Sequence, residues 1–268
     1  MRTILIATAA AAALVLGSVG PADAAAKKSY KVSVKTSKST STPGASVKIS
    51  GKVSGPKVKG KSVKIQRQYV GGGWKTVATT KLSSKGTYSA WVETPLGGST
   101  SFRVLKARSS VRKAGTSAIK TLPVYKWINL VEAAAQSSAS AQYYGNVPVT
   151  IEGQTFRHSA LLNTNLTTAY NTANLCTTLR ATVGQDDAST VADTFNIFVG
   201  HLGPGPGAFN QPVNQASVTP LVRNISGVSI LILGANDLAA GSLAAIGTPQ
   251  VLCNADELPD LRRETYPL

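Results

Sequence analysis

A chain of 268 residues with 28 lysines and arginines against 12 aspartates and glutamates carries a net charge of +16, and 43% of it is apolar. Two cysteines and two histidines lying far apart exclude zinc-ligand spacing. The charge would suit nucleic acid, but no recognition motif and no periodic aromatic platform accompanies it, so nucleic acid is not an expected partner.

Residues 1–24 read as an export signal. Arg2 supplies a positive start, Ile4 to Leu16 is an apolar run, and Ala22-Asp23-Ala24 is a small-x-small cleavage site. The run is too short for a transmembrane anchor and is followed by Gly17, Gly20 and Pro21. No cysteine stands near the cleavage point to carry a lipid, and no second apolar stretch of about 18 residues follows. The expected location is secreted or extracellular, with cell-wall association as one form of it.

Charge then divides the remainder. From Ala25 to Lys126 there are 22 lysines and arginines against the single acid Glu93, a net of +21. From Trp127 to Leu268 there are five arginines, no lysine and 10 acids, a net of −5. Such asymmetry predicts two domains with separate jobs. The division expected is a basic domain over 25–125, an acidic domain over 126–253, and a peripheral tail over 254–268.

The basic half shows the every-other-residue alternation of half-buried strands. Val32 and Val34, Val47 and Ile49, and Val63 and Ile65 alternate with polar neighbours. Further runs span Trp74 to Thr79, Thr87 to Val92, Ser101 to Ala107 and Ser117 to Val124. About seven strands with Gly, Pro and Ser punctuation predict an immunoglobulin-like sandwich with lysines pointing outward. Gly51-Lys52-Val53, Gly73-Trp74-Lys75-Thr76-Val77-Ala78-Thr79-Thr80 and Lys85-Gly86-Thr87-Tyr88-Ser89 also resemble the Ig-like modules appended to exported actinobacterial proteins. That resemblance implies a spacer or adhesive unit. The outward lysines have two readings: they keep the sandwich soluble and its edges unpaired, or they contact a polyanion such as an anionic cell-wall polymer.

Tyr125-Lys126-Trp127-Ile128-Asn129 is the expected junction, followed by a short helix from Leu130 to Gln136 capped by Asn129. Tyr143-Tyr144-Gly145 offers aromatics that could stack on a sugar, with burial in the sandwich as the alternative. Val149 to Phe156 reads as a hairpin turning at Glu152-Gly153. Leu179, Ala181 and Val183, then Phe195 and Ile197, mark two more strands. Cys176 and Cys253, the only cysteines of an exported chain, are expected to form a disulfide worth roughly 4 kcal/mol by the chain-entropy argument, the alternative being two buried thiols packing as small apolar residues.

The hairpin, Leu179-Arg180-Ala181-Thr182-Val183-Gly184-Gln185-Asp186-Asp187, Phe195-Asn196-Ile197-Phe198-Val199-Gly200 and Ile225-Ser226-Gly227-Val228-Ser229-Ile230-Leu231-Ile232-Leu233 resemble, in that order, the NPCBM carbohydrate-binding module of secreted bacterial proteins. The resemblance covers roughly Lys126 to Cys253 and implies a galactose-binding-like jelly roll that holds sugars without cleaving them. Two family features are replaced: Asn163 stands where a loop histidine is common, and Ala244 to Gln250 lacks the family's His/Asp/Trp cluster.

Catalytic patterns are incomplete. Gly234-Ala235-Asn236-Asp237 resembles a block of SGNH-type esterases, but no Gly-Asp-Ser nucleophile occurs, and His158 and His201 both lie upstream. Asp186 and Asp187 point apart as neighbours on a strand or turn, so they do not flank one glycosidic bond. They are expected instead as loop caps, sugar-hydroxyl acceptors or oxygen ligands of a structural calcium ion.

The combined expectation is an all-β chain of two β-sandwiches, non-enzymatic and without cofactor. Its expected partner is a polysaccharide or glycan held by Tyr143, Asn163, Asp186 and Asp187. The alternatives are a structural or adhesive surface protein without a sugar site, and an SGNH-type esterase or glycosidase.

Overall fold

The computed structural model describes residues 27–133, 143–165, 167–202 and 204–259. The expected signal segment, the end of the expected helix and the last nine residues lie outside the described residues. Apart from one four-residue helix, all regular structure described is β-strand, so the chain is all-β.

The first nine strands are β1 (Lys31–Val32), β2 (Lys35–Thr36), β3 (Ala45–Ser54), β4 (Ser62–Tyr69), β5 (Lys75–Lys81), β6 (Thr87–Thr94), β7 (Thr100–Lys106), β8 (Gly115–Thr116) and β9 (Lys120–Leu122). One sheet has β3 at its centre, with β6 on one edge and both β1 and β2 on the other. The second runs β5-β4-β7, with β8 and β9 sharing the far edge of β7. Alternation decides which side chains meet between them: Val47, Ile49 and Val53 from β3 pack against Val63, Ile65, Phe102 and Val104 from the other sheet. The strand expected over Ser117 to Val124 is interrupted. Ser117 donates its N–H to Val104 O, but its Oγ in place of its carbonyl accepts from Val104 N and donates to Ala118 O, so pairing to β7 breaks into β8, ahead of the expected run, and β9 within it.

The chain crosses into a second sandwich at β10 (Lys126–Asn129), which pairs with the last strand of the chain. Helix α1 (Leu130–Ala133) follows, and Asn129 Oδ1 accepts from the N–H groups of Val131 and Glu132, the expected cap. Next come β11 (Tyr143–Ile151), β12 (Gln154–Leu162), β13 (Thr167–Asn171), β14 (Cys176–Gln185), β15 (Phe195–Leu202), β16 (Phe209–Val213), β17 (Thr219–Asn224), β18 (Ile230–Asn236) and β19 (Ala244–Cys253). One antiparallel sheet has the order β11-β12-β19-β14-β17, and the other has β13-β18-β15-β16. Leu162, Leu179, Val183, Ile246 and Val251 of the first face Phe195, Ile197, Leu231 and Leu233 of the second. Cys176 and Cys253 stand opposite each other in the β14–β19 ladder and are joined by the disulfide.

The expected strand from Ile225 begins only at Ile230. Ile225 and Val228 belong to a turn, closed by the Val228 N–H to Ile225 carbonyl bond, yet both side chains are buried. Hydrophobicity alone therefore mimicked a strand. Residues 254–259 also differ from a peripheral tail. Ala255 is only 8% exposed, Asn254 accepts from Val124 N and donates to Ser99, and Asp256 accepts from Gly97 N and Lys126. After its last strand the chain thus returns to the loop before β7. No helix among the described residues is long and apolar enough to cross a membrane.

Candidate functional site

Register brings the predicted site residues to one end of the second sandwich. Tyr143 pairs with Leu162, Leu162 with Ala244, and Ala244 with Gln185, forming one row across four strands. Asn163 and Asp186 each follow a member of that row, so the loops after β12 and β14 emerge side by side.

The β11–β12 hairpin turns at Glu152-Gly153, as its sequence predicts. Both residues have positive φ, 49° and 72°, the combination a type I′ turn requires. The hairpin does not continue the plane of the sheet. Register slips on both sides of Val147, and Asn146 and His158 take φ values of 58° and 52° at the irregularities. Bulges of this kind bend a strand pair. Beyond the bend, the arm lies across β14 and β19: Val149 and Ile151 pack on Ala245, Ile151 sits over Gly184, and Phe156 over Gly247. At the bend His158 Nδ1 lies 3.0 Å from both Asn146 Oδ1 and Glu132 Oε1, tying it to helix α1.

The arm ends in a double carboxylate clasp. Asp187 accepts the N–H of Glu152 through Oδ1 and that of Gly153 through Oδ2, each at 2.9 Å. Asp186, 8% exposed, accepts Thr150 N through Oδ2 at 2.9 Å and Ala188 N through Oδ1 at 3.0 Å. As neighbours these acids are expected to point apart, yet both carboxylates reach one hairpin and line one groove, holding successive parts of the arm. Charge-assisted bonds of this type are roughly twice as strong as neutral ones.

Around the clasp lies a groove of about 230 Å³ lined by Glu152, Gln185, Asp186, Asp187, Ser189, Thr190, Val191, Ala192, Gln215 and Ala216. Most of its polar groups also brace the loops. Gln185 Nε2 donates to Val191 O and Ser242 Oγ, Ser189 Oγ accepts from Leu243 N, and Thr190 Oγ1 donates to Gly241 O. Asp187 is exposed, and a carboxylate offers about four acceptor positions, so it retains capacity after clasping the turn. The Glu152 and Gln215 side chains make no hydrogen bond among the described residues. Sequence reasoning missed these two, because nothing local distinguishes them from any loop polar residue.

Asn163 does not line the groove. Its Oδ1 is buried without a partner among the described residues, an acceptor left unused. Tyr143 is fixed in register at the same end of the sheet. No aromatic side chain among the described residues lines the groove. Nor do three or more His, Cys, Asp or Glu side chains among the described residues converge to hold a metal ion.

At the end of β18, Asp237 accepts from Asn196 Nδ2 at 3.0 Å and occupies a turn with φ 64°. His201 Nδ1 is buried without a partner among the described residues, in a pocket beside Arg223 and Phe209. Neither histidine is hydrogen-bonded to a serine among the described residues.

No protein-family model matches the chain, and no curated protein matches it.

Proposed function

We propose that this is an exported, non-catalytic saccharide-binding protein whose second sandwich is an NPCBM-like, galactose-binding-like module and whose basic, immunoglobulin-like half serves as spacer or polyanion contact. The observation that supports the reading is the braced polar groove at the clasped hairpin tip. Its loops are fixed by hydrogen bonds to one another, so Glu152, Asp187 and Gln215 meet ligand hydroxyls from a backbone that needs no further ordering. The disulfide fits an oxidising extracellular setting.

Retention of the mature chain on immobilised neutral glycans tests this reading. Binding that falls when Gln215→Ala and Glu152→Ala are combined supports it; no retention on any glycan overturns it. Two observations favour the rival role of a structural or adhesive surface module. The Asp186 carboxylate is turned into the loop, and no aromatic among the described residues lines the groove to stack on a sugar. In that case the chain passes every glycan gel unretarded.

A further inference from the structure

The outer face of the β3/β6 sheet carries a regular charge pattern. Val47, Ile49 and Val53 of β3 are buried, while Ser46, Lys48, Lys52 and Ser54 are exposed and Ser50 is half-buried. Lys35 pairs with Ser50 and Lys31 with Ser54. Directly opposed residues of an antiparallel pair share a face. Lys48, Lys35, Lys52 and Lys31 therefore step along the sheet at every second residue, about 6.7 Å per step, alternating between strands about 4.8 Å apart. On the opposite side of β3, Trp91 stands across from Lys48 and is 65% exposed.

Nothing described neutralises or covers this face. The only lysine ion pair among the described residues is Lys126 with Asp256, in the other sandwich. Glu93, the one acid on the face, stands opposite Ser46 at its end. Of the three tryptophans, Trp74 lies under Arg103 and Trp127 under Arg180, at 4.2 and 3.9 Å, whereas Trp91 carries no such cation among the described residues.

We propose that this face docks an extended acidic polysaccharide, its repeated anions meeting the staggered ammonium groups and one sugar ring lying on the Trp91 indole. The proposal rests on the polyanion-contact reading of the basic half and assigns it a face and a ligand class. A stripe of unpaired like charges attracts a chain of opposite charge, and a flat, amphipathic indole suits the C–H face of a sugar. A second copy of this chain fits less well. No described acid of the second half lies within a β-strand, so none repeats at the two-residue spacing of the lysines, and Asp186 is buried while Asp256 is paired with Lys126. Single-stranded nucleic acid needs successive aromatic platforms, and this face has one.

The test uses the full mature chain with polygalacturonate as the acidic glycan, dextran as the neutral one and oligo-dT as the rival polyanion. Polygalacturonate should bind, weaken as salt rises, and protect Trp91 from acrylamide quenching. Lys48→Ala with Lys52→Ala should weaken binding about tenfold, whereas Lys75→Ala with Lys120→Ala, of equal charge on the other sheet, should weaken it less than about threefold. Trp91→Ala should weaken it several-fold with its salt dependence unchanged. Equal losses in the two lysine pairs would assign binding to overall charge and overturn the face. Tighter binding of oligo-dT would overturn the ligand class. Absence of polygalacturonate binding would overturn the polyanion reading itself, independently of groove retention on neutral gels.

Discussion

Asp187 reaches back 34 residues to accept the Gly153 backbone N–H at 2.9 Å, holding the tip of a hairpin that would otherwise end in solvent. Together with Asp186 it converts a bent, two-stranded arm into one wall of the groove. The two acids differ in burial, and their replacement should differ accordingly.

Asp187→Ala is expected to cost about 1–2 kcal/mol, since the freed turn N–H groups can return to water. Asp186→Ala should cost more, about 2–3 kcal/mol, because the Thr150 and Ala188 N–H groups lose a buried acceptor. Urea unfolding midpoints of the two variants give the comparison, and an equal or reversed order would contradict the burial argument.

Gly184 and Gly247 let the arm lie close. A Cβ on Gly247 would come within 2.8 Å of the Phe156 ring, and one on Gly184 would collide with Ile151. Alanine at either position is expected to destabilise by about 1–3 kcal/mol through overpacking. Amide exchange should accelerate over residues 147–157 in these variants while the β14–β17 ladder stays protected.

The Cys176–Cys253 bond closes a separation of 77 residues. Replacing both cysteines by serine should lower stability by about 4 kcal/mol on the chain-entropy argument. Guanidinium unfolding of wild type with and without reductant should reproduce that difference, and unchanged midpoints would show that the bridge constrains little.

Asp256 offers a pH-dependent contact at the returning chain end. Burial raises its pKa, but the Lys126 side-chain hydrogen bond, the Gly97 N–H and the Lys126 charge outweigh that and hold it below the ordinary carboxylate value. A lowered folded pKa means the contribution is present above the ordinary aspartate range and is lost as pH falls through the folded value. Both partners are partly exposed, so Asp256→Asn should cost at most about 1 kcal/mol at neutral pH. The difference from wild type should vanish in acid, and a difference that persisted there would refute the assignment.

Alternation in β3, β4, β14 and β15 was legible from residue order because side-chain direction along a strand is a local property, reversing at each residue. The Glu152-Gly153 turn and the Asn129 cap were legible for the same reason: each is satisfied within a few residues. The split at Ser117 and the false strand at Ile225 show the limit. Hydrophobicity reports burial, while strand identity depends on which backbone groups find partners.

The buried faces of β3, β4, β14 and β15 and the all-β class followed from periodicity, and the pairing of the only two cysteines from their number and the expected export. The bend at Asn146 and His158, the two-acid clasp on the hairpin and the docking of Asn254 and Asp256 depended on folding. In the clasp the recognised groups are backbone N–H donors, which every residue but proline carries, and such contacts are selected only when distant segments are brought together.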